Sequence, residues 1–158
     1  MELESNELQT ARGPLEDEVK QFSVFMENKV GRLLDIVKMF AQASIHVVAL
    51  SILDTSDAAI VRLVTDDPDK ARVLFQEHGL AFTEVPLVVV ELSSSAADLK
   101  AVLTSLLQAE VNVHSAYSLL TRPRGKAALA LHVEDRECAT AVLQANQFKM
   151  LTQRDISR

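Results

Sequence analysis

Four histidines, one cysteine, a run of aspartates and one compact basic turn are the residues of this chain best equipped for chemistry. His46, His78, His114 and His132 are scattered, with no cysteine or carboxylate around them at the spacing of a metal set, and read as ordinary surface or core histidines. Cys138, the only cysteine, sits next to Ala139 in a helical pattern and reads as a buried inert thiol. Asp54, Asp57, Asp66, Asp67 and Asp69 lack the loop glycine and closing glutamate of a calcium loop, so they read as turn residues and helix caps. Arg122, Arg124 and Lys126 cluster around Pro123 and Gly125 as a cationic hairpin, which could meet a phosphate or an acidic partner but reads as an ordinary solvated turn. No nucleophile–base pair, metal set or phosphate-binding glycine loop stands out, so neither catalysis, a metal nor a cofactor is expected.

The elements that carry these residues are bounded by size and charge. The chain has 158 residues, enough to bury a real core, and 22 acidic against 16 basic residues give a net charge of −6. No basic footprint for nucleic acid exists. Much of the excess lies in residues 1–20, an acidic tail containing Glu2, Glu4, Glu7, Glu16, Asp17 and Glu18. The charge-free run from Met39 to Leu53 is shorter than the roughly 18 residues of a membrane span and is interrupted by Gln42, Ser44 and His46. A cytoplasmic protein with no membrane contact is expected, since the N-terminus has no apolar leader and a single cysteine builds no disulfide scaffold. Hydrophobic residues make up 48% of the chain and aromatics 4%, so the core must be aliphatic and a small ligand suits it better than a stacked base or sugar.

The sequence is written twice. Gly31 to Val47 lies over Ala97 to Val113, 66 positions on, and Asp66 to Ala71 lies over Glu134 to Ala139, 68 positions on. Two units follow, 21–86 and 87–152. Each opens with a strand: Phe22, Val24 and Met26 alternate with their neighbours, as do Val88, Val90 and Leu92. Leu33, Ile36, Val37 and Phe40 then recur at helical spacing, as do Leu99, Val102, Leu103 and Leu106, with Ser94 or Ser95 available as a cap. Strands at Ile45–Leu53 and Ala59–Val64, and at Val111–Leu120 and Ala127–Val133, pair as hairpins. Pro68 starts a second helix that Gly79 ends, and strands at Ala81–Val85 and Phe148–Leu151 close the units. The order βαββαβ, twice, is α+β: two ferredoxin-like units, each an antiparallel sheet with its helices on one face. Val47–Leu50, Ile52–Leu53 and Leu87–Val90 are apolar on both parities, so something must cover the second face, the other unit or another chain, and a homodimer or larger assembly is expected.

The segment Phe25-Met26-Glu27-Asn28-Lys29-Val30-Gly31-Arg32-Leu33, followed by a helix and Ala43-Ser44-Ile45-His46-Val47, resembles the ACT domain, a small ligand-binding regulatory module. Residues 21–152 are similar to the stand-alone tandem ACT proteins. Family strands end in a pattern like E-N-x-P-G-x-L and resume with A-G-I-N. Here Val30 replaces the proline, Ser44 and Glu110 replace the second glycine, His46 replaces the asparagine that Asn112 keeps, and Ser93–Asp98 takes the place of the glycine loop in the second unit. The resemblance implies a small amino acid or related metabolite as ligand, its carboxylate at a helix start and its ammonium on a facing strand. Carried over position by position, it implies Asn28, Gly31, Arg32 and Leu33 facing either His46 of a symmetry mate or Asn112, Val113 and His114 of the second unit. The implied function is non-catalytic regulation, in which a sensor at the interface between units signals to a protein partner or through its own assembly. A ligand-free dimerisation scaffold acting through a protein partner is the competing reading. RNA recognition shares the βαββαβ order, but the third strand, Ala59–Val64, lacks the aromatics that stack bases.

Overall fold

A computed structural model of the chain describes residues 17–27, 30–94 and 96–157. Its first half runs β1 (Lys20–Glu27), α1 (Arg32–Gln42), β2 (Val47–Asp54), β3 (Ala58–Thr65), α2 (Pro68–Glu77) and β4 (Ala81–Pro86). The second runs β5 (Val88–Leu92), α3 (Ala96–Gln108), β6 (Val113–Ser118), β7 (Ala127–Val133), α4 (Arg136–Ala145), β8 (Met150–Leu151) and a last turn of helix, α5 (Gln153–Ile156). Each half forms a four-stranded antiparallel sheet, ordered β2-β3-β1-β4 and β6-β7-β5-β8. This is the ferredoxin-like α+β arrangement that the repeated pattern predicts.

Two of the helices, α2 and α4, are fixed at both ends by local chemistry. Asp67 and Asp135 cap α2 and α4, each accepting a hydrogen bond from the backbone N–H three residues on, and Pro68 occupies the first turn of α2. All four long helices then stop in one way. Ser44, Gly79, Glu110 and Gln147 each adopt a positive φ of 57 to 67°. The next residue donates its N–H back to Phe40, Phe75, Leu106 or Leu143 at 2.9 to 3.0 Å. Only one of the four is glycine.

Each unit has its own core between sheet and helices. Phe22, Phe40 and Phe75 join Val24, Val61 and Leu63 in the first, whereas Val90, Val102, Leu106, Leu131 and Leu143 fill the second. A third core lies between the units and buries their second faces against each other: Val48, Ala49 and Val64 meet Leu119, Val89, Ala128 and Ala130. The cover for the doubly apolar strands therefore comes from within one chain. Edges meet as well, for Ala49 and Leu119 form an isolated antiparallel bridge and Leu120 donates its N–H to the Val48 carbonyl at 2.7 Å. Ile52 and Leu53 remain about half exposed.

Three local expectations are corrected. Strand β6 spans Val113–Ser118 rather than Val111–Leu120, because Val111 donates its N–H to Leu106 at the end of α3 and Leu120 donates its N–H to Val48 of the other unit. Strand β8 is confined to Met150 and Leu151, since Gln147 and its neighbours are spent on the end of α4. The polar residues after Thr152 form α5, held by a capping box between Thr152 and Asp155, and it plugs the inter-unit core with Ile156, which is 2% exposed.

Candidate functional site

The turn from β1 into α1 is built on Gly31, with φ 89° and ψ −9°. A Cβ at this position would meet no atom within 4 Å, so what glycine supplies is the left-handed backbone rather than clearance. Its carbonyl accepts from Asp35 N–H at 3.0 Å, and among the described residues no side chain caps the first turn of α1. Arg32 is exposed and lines a groove of about 550 Å³ together with Phe25, Asp35, Lys38 and His78. Leu33 turns partly into the core of the first unit. Asn28 lies outside the described residues.

The matching turn in the second unit is closed by its own side chain. Asp98, in the first turn of α3, accepts a hydrogen bond from Ser94 N–H at 2.8 Å. A carboxylate of the chain thus stands at the helix start that a ligand carboxylate would use.

His46 and Asn112 hold equivalent places at the starts of the two hairpins, and each is bound by an acid across its hairpin. The Asp66 carboxylate accepts from His46 N–H and meets its Nδ1, both at 2.7 Å, while His46 returns its carbonyl to Asp66 N–H at 3.1 Å. Asn112 repeats the arrangement with Glu134: Nδ2 donates to Oε2 at 2.8 Å and the carbonyl accepts from Glu134 N–H at 3.0 Å. The ring of His46 is 77% exposed, so its far nitrogen faces open space. Val113 and His114 are exposed at the start of β6, and the His114 ring packs on that of His132 with centroids 4.9 Å apart.

His46 and Asp66 line a second groove, of about 720 Å³, whose walls come from both units: Val37 and Ser44 on one side, Thr121 and Ser157 on the other. Beside it, Gln153 donates to the Thr65 carbonyl at 3.0 Å and Ser157 to that of Asp66 at 2.8 Å. The Thr65 hydroxyl oxygen and Gln153 Oε1 are buried without a partner among the described residues. Arg32 and His46 thus border different grooves. The sequence offered no sign of Thr121 or Ser157, because their role depends on how one unit sits on the other. Tyr117 was equally hidden: its hydroxyl donates to Gln21 Oε1 at 2.7 Å across the seam, and burial raises its pKa well above the usual phenol range. Among the described residues no group of three or more His, Cys, Asp or Glu is placed to hold a metal ion, and no helix is long and apolar enough to cross a membrane.

Comparisons with known proteins agree with this architecture. No curated protein matches the chain. A crystal structure of a protein from Bacteroides thetaiotaomicron superposes with a TM-score of 0.81 at 26% identity, over 90% of this chain and 98% of that one. The ligand-free regulatory subunit of aspartate kinase from Thermus thermophilus gives 0.58 at 12% identity, over 84% and 93%. The corresponding regulatory subunit from Thermus flavus gives 0.57 at 15%, over 83% and 91%. These last two likenesses are of fold. A family model described as an ACT domain pair matches residues 17–158, nearly the whole chain, and the chain belongs to that family of regulatory domains.

Proposed function

We propose that this chain is a non-catalytic sensor that binds a small amino acid or related metabolite where its two units meet. The observation that carries the reading is the groove of about 720 Å³ walled by both units, with the His46–Asp66 pair on its polar side. A ligand seated there touches α1, the start of β2 and the C-terminal α5 at once, so its occupancy bears on how the units pack. The ammonium of an amino acid finds Asp66, and the free nitrogen of His46 is available to its carboxylate. The open turn at Gly31 and Arg32 is the second place for a ligand, completed by the facing strand of a second copy in a homodimer. Cytoplasmic action on a protein partner completes the reading.

A scaffold without ligand is the competing function, favoured by one observation: Asp98 already fills the start of α3.

A thermal-shift screen against the common L-amino acids at millimolar concentration tests these readings. Ligand at 100 times its Kd adds about 2.7 kcal/mol, which raises Tm by several degrees. A selective shift lost in His46→Ala places the ligand in the groove between units, and one lost in Gly31→Asp places it at the turn. A flat response to every amino acid sinks the amino-acid sensor and favours the scaffold.

A further inference from the structure

The seam between the two sheets changes character along its length. Next to the Ala49–Leu119 bridge it is apolar and closed by Val48, Val64 and Ile156. Farther along, the second face of the first sheet turns polar. Ser51 and Ser23 stand opposite Arg62, one on each side of β3. From the second sheet, Tyr117 reaches across to Gln21, and Ser115 lies directly opposite His132. His114 sits where the β6–β7 register shifts, and its ring is tilted 54° to that of His132.

Charge here is one-sided. Arg62 is half-buried and forms no ion pair among the described residues, and its charge acts on both Tyr117 and His132. Burial pushes the His132 imidazole below its ordinary pKa, and His114 and then Arg62 push it the same way. On the same face of the second sheet, the carboxylate of Glu91 stands opposite Ala128, four residues along β7 from His132, with Lys126 at 3.8 Å. It does not neutralise the cluster. The Ser115 hydroxyl oxygen is buried and has no partner among the described residues. Arg62, beside Ser23 on the first sheet, and His114, His132 and the unused Ser115 hydroxyl on the second thus lie at the same end of the seam that the Tyr117–Gln21 bond crosses, and among the described residues no anion pairs with Arg62. Leaving such groups unpaired costs stability, and the chemistry that satisfies all of them together is an oxyanion.

We propose that the polar end of the seam binds a small oxyanion, a carboxylate or a phosphate group, between Arg62 of the first unit and His114 and His132 of the second, with the Ser115 hydroxyl as a further donor. The site is separate from the groove at His46 and stands whether or not that groove binds an amino acid. Because its groups come from both units, the anion links them.

Imidazole NMR spectra of the labelled full chain test this, recorded across pH with sodium malonate and separately with sodium phosphate, at ionic strength held constant with sodium chloride. Saturable shifts at His114 and His132, with both titration midpoints moving upward and His46 and His78 unmoved, are the expected result; the anion that saturates first identifies the oxyanion class. Arg62→Gln should abolish saturation. Arg62→Lys keeps the charge but loses the planar fork, and should weaken binding about tenfold or more, the worth of one charge-assisted hydrogen bond. The proposal is overturned by the absence of saturation with either anion, by saturation that survives both variants unchanged, or by equal shifts at all four histidines.

Discussion

The two units share a backbone and differ in what fills it. Their sheets have one strand order, their helices end in one motif, and their hairpins are clamped by equivalent pairs, His46–Asp66 and Asn112–Glu134. The cores diverge. Phe40 and Phe75 of the first unit are replaced by Leu106 and Leu143 in the second, and Phe22 by Val88. The turns diverge too: Asp98 fills the second, whereas among the described residues no side chain caps the first, at Gly31. Pattern and volume are enough to keep the fold, whereas ligand chemistry depends on single positions that one unit has kept and the other has spent on itself.

The largest test of that contrast compares Phe75 with its counterpart Leu143, both fully buried. Phe75 has the rings of Phe22, Phe40 and Phe82 at 5.4 Å each. Phe75→Ala should cost about 4 kcal/mol and Leu143→Ala about 3 kcal/mol in urea unfolding, since the larger ring leaves the larger void and also loses its aromatic contacts. Equal losses would mean that the first unit collapses around its cavity more readily than its packing implies.

The turns provide the next effect. Gly31→Ala forces a side chain into left-handed backbone and should cost about 1–2 kcal/mol, although nothing crowds the new methyl group. Asp98→Ala removes the carboxylate that ties down Ser94 and should cost about 1 kcal/mol. It should also open the second turn to a ligand, so a new saturable thermal shift in Asp98→Ala, absent from the parent chain, is the sharper readout.

A smaller effect depends on pH. The folded pKa of His132 is lowered, so the unfolded chain takes up a proton that the folded chain refuses. The stability held above pH about 6.5 is then lost as pH falls from there toward the lower folded value. His132→Gln should flatten the stability profile in this window.

Much of the fold was legible because it rests on local periodicity repeated twice: the alternation of Phe22, Val24 and Met26, the helical spacing from Leu33 to Phe40, and Pro68 before a helix. Less of the candidate site could be read. The sequence marks Gly31 and His46 but not that they border different grooves, nor that Asp66 and Glu134 bind the two hairpin starts. Arg62, Ser115 and Tyr117 acquire their surroundings only when one sheet lies on the other, and no period in the chain encodes that docking. The helix at Gln153–Ile156 escaped because four residues are too few to show a period, although Thr152 and Asp155 have the spacing of a capping box.

The smallest expected effect separates backbone shape from residue type. The first turn of each unit's hairpin approach has lost the family's glycine, at Ser44 and Glu110, yet both residues keep φ 57° and the hydrogen bonds that go with it, as does Gln147 at 67°. Packing of Ile45, Val111 and Phe148 against the cores holds these residues where glycine would sit without strain. Relief of about 1–2 kcal/mol of left-handed strain is partly offset by the roughly 0.5–1 kcal/mol that a more flexible unfolded chain costs. Ser44→Gly, Glu110→Gly and Gln147→Gly should therefore each stabilise by about 0.5–1 kcal/mol, and Gly79→Ala should destabilise by a similar amount. The three gains should add, since the sites end different helices. Urea midpoints that rise for all three while the slope stays constant would show that the glycine was replaced at a tolerated cost; a fall at Ser44 alone would show that its side chain, on the wall of the groove that holds His46, contributes something the backbone does not.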